Sequence, residues 1–133
     1  MDNRDLYNEY SDLNSSDISY DDFDEESLQE MLFFAKDEYE QWTRDMNIAK
    51  DYAYEIDRIN QEQYNDIDKM RELIGKDDHK LSAILNEKES LLNQIQQENI
   101  DFLDKIDYEC ETKGKEHEEK IEKIYETLKR NGV

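Results

Sequence analysis

Apolar residues recur alternately four and three positions apart over almost fifty residues: Leu28, Leu32, Ala35, Tyr39, Trp42, Met46, Ala49, Ala53, Ile56, Asn60, Gln63, Ile67, Met70 and Ile74. Twelve of these fourteen are apolar, in a chain that is 35 % apolar as a whole, so the spacing is not a product of composition. A sustained 3–4 alternation keeps one stripe of a helix facing a partner, which is the seam of a coiled coil. The run stops at Gly75-Lys-Asp-Asp78 and resumes as Leu81, Leu85, Lys88, Leu92, Ile95, Asn99, Phe102 and Ile106. It fades through Cys110, Lys113, Gly114 and His117, then returns at Ile121, Ile124 and Leu128 after a slip in register. The chain contains no proline and three glycines, too few turn residues for a sandwich or barrel.

The expected fold is all-α: an antiparallel two-helix coiled-coil hairpin with a first helix over 27–75, a turn at 76–78 and a second helix over 79–131. Ser27 with Glu30, or Asp24 alone, is the candidate cap of the first helix, and Asp77 or Asp78 of the second. Gly75 supplies the stop between them. Folding about the turn pairs residues whose numbers add to about 155, so that Ile74 meets Leu81, Met70 meets Leu85, Ala53 meets Phe102, Ala49 meets Ile106 and Leu28 meets Leu128. Residues 1–26 stand apart from this pattern. Ten acids and one base, with no apolar period, make them a poorly ordered tail holding the acidic-aromatic run Tyr20, Asp21, Asp22, Phe23, Asp24, Glu25 and Glu26.

More apolar surface is present than one seam uses. Met31, Phe33 and Phe34 help to make a whole turn apolar, Ile48, Tyr52 and Ile59 flank the first seam, and Ile84, Leu91, Ile100 and Leu103 flank the second. Such widening is the mark of a helix in a three- or four-helix bundle. Met31, Phe33, Phe34, Ile48, Tyr52, Ile84, Leu91, Ile100 and Leu103 are therefore the candidate partner-binding residues, for another protein or for a second copy in a dimer. Asn60, Gln63, Lys88 and Asn99 occupy seam positions, either buried to fix register or lying where the seam opens to water.

Chemistry is hard to place on such a chain. One cysteine and two histidines, with Cys110 and His117 on one helical face, fall short of the three or four ligands of a zinc site. Glu109 and Glu111 disfavour a Cys110 thiolate nucleophile. Asp17 to Phe23 resembles the end of an EF-hand, but Ser11, Leu13 and Ser16 stand where that loop needs Asp, Asp or Asn, and Gly. Carboxylate pairs abound, yet a hairpin offers no pocket to separate their pKa values. The reading is a non-enzyme without cofactor or metal. No run approaches the ~20 apolar residues of a membrane helix, and the first ten residues, acidic and polar, do not read as a secretory signal. The expected place is the cytoplasm, with export as part of a complex left open. With 37 acidic and 17 basic side chains and a net charge of −20, direct contact with nucleic acid or anionic lipid is disfavoured.

The run Leu85-Asn-Glu-Lys-Glu, followed by Ile106-Asp-Tyr-Glu and by Glu118-Glu-Lys-Ile-Glu, resembles the small all-helical accessory proteins that accompany LXG-type toxins in Gram-positive type VII secretion. The likeness extends over about residues 28–130. It implies a chaperone or targeting subunit that packs along a secreted toxin's helical N-terminal region. That group often carries an aromatic residue four before an acid as an export signal. Tyr20/Asp24, Phe33/Asp37, Phe34/Glu38 and Tyr64/Asp68 fit, at a frequency that 37 acids in 133 residues give by chance. The acidic tail departs from the group's pattern. The alternative is a phage- or plasmid-type acidic inhibitor that imitates nucleic acid and blocks a nuclease, CRISPR effector or polymerase, with Tyr20 and Phe23 stacking where bases would lie.

Overall fold

A computed structural model of the chain describes residues 19–132. The reading of residues 1–18 as tail, and the EF-hand positions within them, lie outside that range. The described chain is an all-α helical hairpin of two helices, α1 (Glu25–Leu73) and α2 (His79–Arg130). α1 starts two residues before the expected position because Asp24, not Ser27, is its cap. The Asp24 Oδ1 accepts the Ser27 N–H at 2.8 Å, and Glu25 and Glu26 then fill the first turn, where acids suit the helix dipole. Asp78 does the same for α2 by accepting the Leu81 N–H at 3.1 Å. Gly75 does not take a left-handed conformation. Among the described residues that role falls to Gly132, with φ 83°, which closes the end of α2 through its N–H to the Lys129 carbonyl.

The chain packs as two units. One, residues 19–46 with 108–132, holds the core: Tyr20, Leu28, Met31, Ala35, Ile124 and Leu128 are buried together, with Phe23, Leu32 and Ile121 against their edge. Leu28 and Leu128 meet here, as the expected pairing has them. Residues 19–26 depart from the expected tail. The Phe23 N–H closes a turn onto the Tyr20 carbonyl, Tyr20 is only 4 % exposed, and Asp21 pairs with Arg130 at 3.1 Å. An aromatic ring finding apolar neighbours on both helices outweighs the acids beside it, which point to solvent.

The second unit is Asn47–Asp107. Its interior is thin: Ala53, Ile67, Leu85 and Ile106 are buried, and with them the polar Asn60 and Asn99. The register shifts slightly from the expected one. Asn99, not Phe102, lies over Ala53, donating from Nδ2 to the Ala53 carbonyl at 2.9 Å, and Phe102 stays 44 % exposed. Met70 and Leu81, expected to be seam residues near the turn, are likewise exposed. Among the described residues no helix is long and apolar enough to cross a membrane.

Candidate functional site

The sides of the hairpin differ sharply within the 47–107 unit. At about 100° per residue, Tyr52, Ile56, Ile59 and Met70 lie on one side of the α1 seam. Ile84, Leu91, Ile95 and Phe102 lie on one side of the α2 seam. Because the helices run antiparallel, both stripes turn to the same face of the hairpin. All eight side chains are exposed, from 38 % at Ile56 to 69 % at Tyr52. Scattered exposed apolar residues are ordinary, but eight on one face of a charged hairpin, interrupted near its middle by Gln63 and Lys88, mark a candidate contact site.

Polar cross-links gather on the opposite face. Lys50 Nζ lies 4.0 Å from Asp107 Oδ1. Gln96 donates to Asp57 Oδ1 at 2.6 Å and accepts from Asn60 Nδ2 at 2.8 Å. The Tyr64 hydroxyl donates to Asn93 Oδ1 at 2.6 Å, and Arg71 reaches Asn86 Oδ1 at 2.9 Å and pairs with Glu89. One face is thus stitched between helices by hydrogen bonds, and the other is left apolar. Of the four polar seam residues, Asn60 and Asn99 are buried and bonded across the helices, Gln63 is half-buried, and Lys88 is open to water.

The candidate partner-binding residues therefore separate. Tyr52, Ile84 and Leu91 share the apolar face, and Ile48 stands at its outer edge. Ile100 and Leu103 turn to the cross-linked side, Leu103 half-buried. In the 19–46/108–132 unit, Met31 is 1 % exposed, a core residue and not a docking one. Its position between Leu28 and Ala35 in the tightest part of the core is the reason. Phe33 is exposed and meets half-buried Phe34 edge-on at 5.5 Å. Of the acidic-aromatic run, Tyr20 and Phe23 pack against each other and on the core. Asp24 is a cap, and Asp21, Asp22, Glu25 and Glu26 are exposed. Tyr20 is thus not presented for stacking on a ligand. The spacing places Ile56, Met70, Ile95 and Phe102 in the seam. The finding that they also form a face rests on a second 3–4 spacing, Tyr52-Ile56-Ile59-Gln63 and Leu91-Ile95-Glu98-Phe102, written beside the first.

The 19–46/108–132 unit has features of its own. A groove of about 910 Å³ runs past Leu32, Tyr39, Ile121, Tyr125 and Leu128. The Lys36–Tyr125 hydrogen bond and that of the Tyr39 hydroxyl to Glu118 at 3.1 Å already join the two helices along it. Beyond it Trp42 packs on Tyr39, on His117 at 5.2 Å between ring centroids, and over Gly114, while its Nε1 is buried without a hydrogen-bond partner. Burial holds the His117 imidazole below its ordinary pKa. Glu38 pulls it back up, Lys120 pushes it down, and Glu116 and Lys113 oppose each other more weakly. Lys120 itself is depressed by burial, with Glu38 at 3.9 Å countering. Among the described residues no group of three or more His, Cys, Asp or Glu is placed to hold a metal ion, and Cys110 is a half-buried free thiol. No family model, curated protein or solved structure matches this chain.

Proposed function

We propose that this chain is a non-enzymatic, acidic helical protein that works by packing onto another protein. The resemblance in its second helix favours a chaperone or targeting subunit for a secreted toxin or effector. One observation carries the reading: the 47–107 unit is cross-linked by polar bonds on one face and leaves eight apolar side chains uncovered on the other. A two-helix layer of that kind is the half of a bundle that a partner helix completes.

The acidic-inhibitor alternative draws on the charge of −20. Part of that charge is used internally. Arg58 sits between Glu55 and Glu62, and Arg71 between Asp68 and Glu89, so the carboxylates do not form the uninterrupted rows of a phosphate mimic. The two readings separate in one experiment. The chain is co-expressed with the helical N-terminal region of an LXG-type toxin from the same source, and the complex is purified through about 0.5 M salt. The expected result is a stoichiometric complex that survives the salt, is lost in Leu91→Ser, and persists in Phe33→Ser. No complex with that toxin region, beside tight salt-labile binding to a basic nucleic-acid enzyme that Leu91→Ser leaves intact, overturns the proposal in favour of the inhibitor.

A further inference from the structure

The chemistry of the occupant can be read from the borders of the apolar face, an inference that rests on the docking reading above. On α1 the stripe from Tyr52 to Met70 is bordered on its outer side by Glu55 and Asp66. On α2 the stripe from Ile84 to Phe102 is bordered by Glu87, Glu98 and Asp101, with Lys80 and Lys105 at its two ends and Lys88, one heptad before Ile95, within it. All eight of these charged residues are exposed, five acids against three bases. The whole 47–107 unit holds 15 acidic and 8 basic side chains, for a net of −7.

A second copy is poorly suited to this face. Two-fold pairing would set the same acidic borders against each other and bring a charge of −20 toward another of −20. A helix lying in the groove between the stripes has its own flanking positions facing these borders, as e and g positions do in a coiled coil. Each stripe spans 19 residues, about 27 Å or five turns of helix between its end residues.

We infer that the face formed by Tyr52, Ile59, Met70, Ile84, Leu91 and Phe102 takes an amphipathic helix of about five turns from another protein, with Lys or Arg flanking its apolar stripe. The hairpin and that helix make a three-helix layer in which apolar packing supplies affinity and the acidic borders select the partner.

The test uses the full chain and two synthetic 21-residue helical peptides. Both carry Leu at 3–4 spacing, one flanked by Lys and the other by Glu. Binding is followed by fluorescence anisotropy at about 0.05 and 0.3 M salt, and the mass of the chain alone by sedimentation. The expected result is a monomer that binds the Lys-flanked peptide one to one, at least tenfold more tightly than the Glu-flanked one. Binding should weaken but persist at the higher salt, drop at least tenfold in Leu91→Ser, and be unchanged in Phe33→Ser. Equal affinity for both peptides overturns the charge rule while leaving the docking face intact. A dimer that Leu91→Ser converts to monomer, with no peptide binding, assigns the face to a second copy and overturns the inference. A monomer that binds neither peptide removes the docking face itself.

Discussion

Gly114 lies in the middle of a 52-residue helix, where glycine weakens the helix by about 1 kcal/mol relative to alanine. A Cβ built there would rest 3.5 Å from the Trp42 ring, ordinary van der Waals distance, and the backbone is not left-handed. Gly114→Ala should therefore raise stability by about 1 kcal/mol, read as a higher urea midpoint with unchanged slope. A loss instead would show that the indole cannot tolerate even that contact. The neighbouring His117 gives a second residue-scale prediction. Its pKa is depressed by burial, so the folded state holds the neutral imidazole, and His117's contribution to stability is intact above the ordinary value of 6.5. That contribution is lost as pH falls below 6.5 toward the folded value. Trp42, the only tryptophan, reports it directly, since a protonated imidazole quenches an indole in contact with it. The fluorescence should fall with a midpoint below 6.5, and the step should vanish in His117→Gln. None of this was legible in the residue types. Lys113, Gly114 and His117 read as a fading seam because glycine and histidine score as polar or neutral. What they do depends on the size of Trp42 opposite, which a pattern along one helix does not contain. The burial of Tyr20 is hidden from the pattern for the same reason, as it comes from residues on both helices.

At the scale of the helices, the 3–4 alternation carried the reading well. Two long helices, a turn before His79 and the meeting of Leu28 with Leu128 all follow from spacing alone. Spacing could not choose among neighbouring caps, because Asp24 and Ser27 both have the chemistry and only the direction of chain entry decides. Nor could it say which polar seam residues are buried. Asn60 and Asn99 reach groups on the opposite helix, whereas the longer, charged Lys88 is exposed. Asn99 tests what the buried pair does. Replacing a buried polar seam residue by leucine generally raises stability and loosens the choice of register and oligomer. Asn99→Leu is expected to increase the urea midpoint and to give self-associated species in sedimentation where the parent gives one. A variant that is less stable and still uniform would make the Asn99 bond to Ala53 a contribution to stability instead of a register device. The apolar face was only half legible. Spacing marks Tyr52, Ile84 and Leu91 as excess to one seam, but it groups Ile100 and Leu103 with them because counting flanking residues ignores which side of the seam each one flanks.

Across the whole molecule, charge and burial act in opposition, and their separation can be measured. The core of the 19–46/108–132 unit stabilises the fold through residues such as Leu28, fully buried, whose truncation to alanine should cost about 2–5 kcal/mol. Leu91 on the apolar face of the other unit is more than half exposed and contributes little to the free chain, so Leu91→Ser should stay within about 0.5 kcal/mol of the parent while removing partner binding. Against the core stands a net charge of −20. The ion pairs are mostly exposed, worth little each and themselves weakened by salt, so self-repulsion outweighs them. Raising salt from about 0.05 to 0.5 M shortens the screening length from above 10 Å to about 4 Å and should therefore raise the melting temperature of the free chain. A globular protein held by its ion pairs would show the reverse. Lowering pH below 6.5 should act in the opposite direction, because burial depresses the His117 pKa in the folded state and its contribution is lost there, so the parent should lose more than His117→Gln does. A melting temperature that falls with salt would mean that paired charges, not their excess, dominate the electrostatics of this chain. The acidic borders of the apolar face would then be structural, and partner selection by charge would lose its basis.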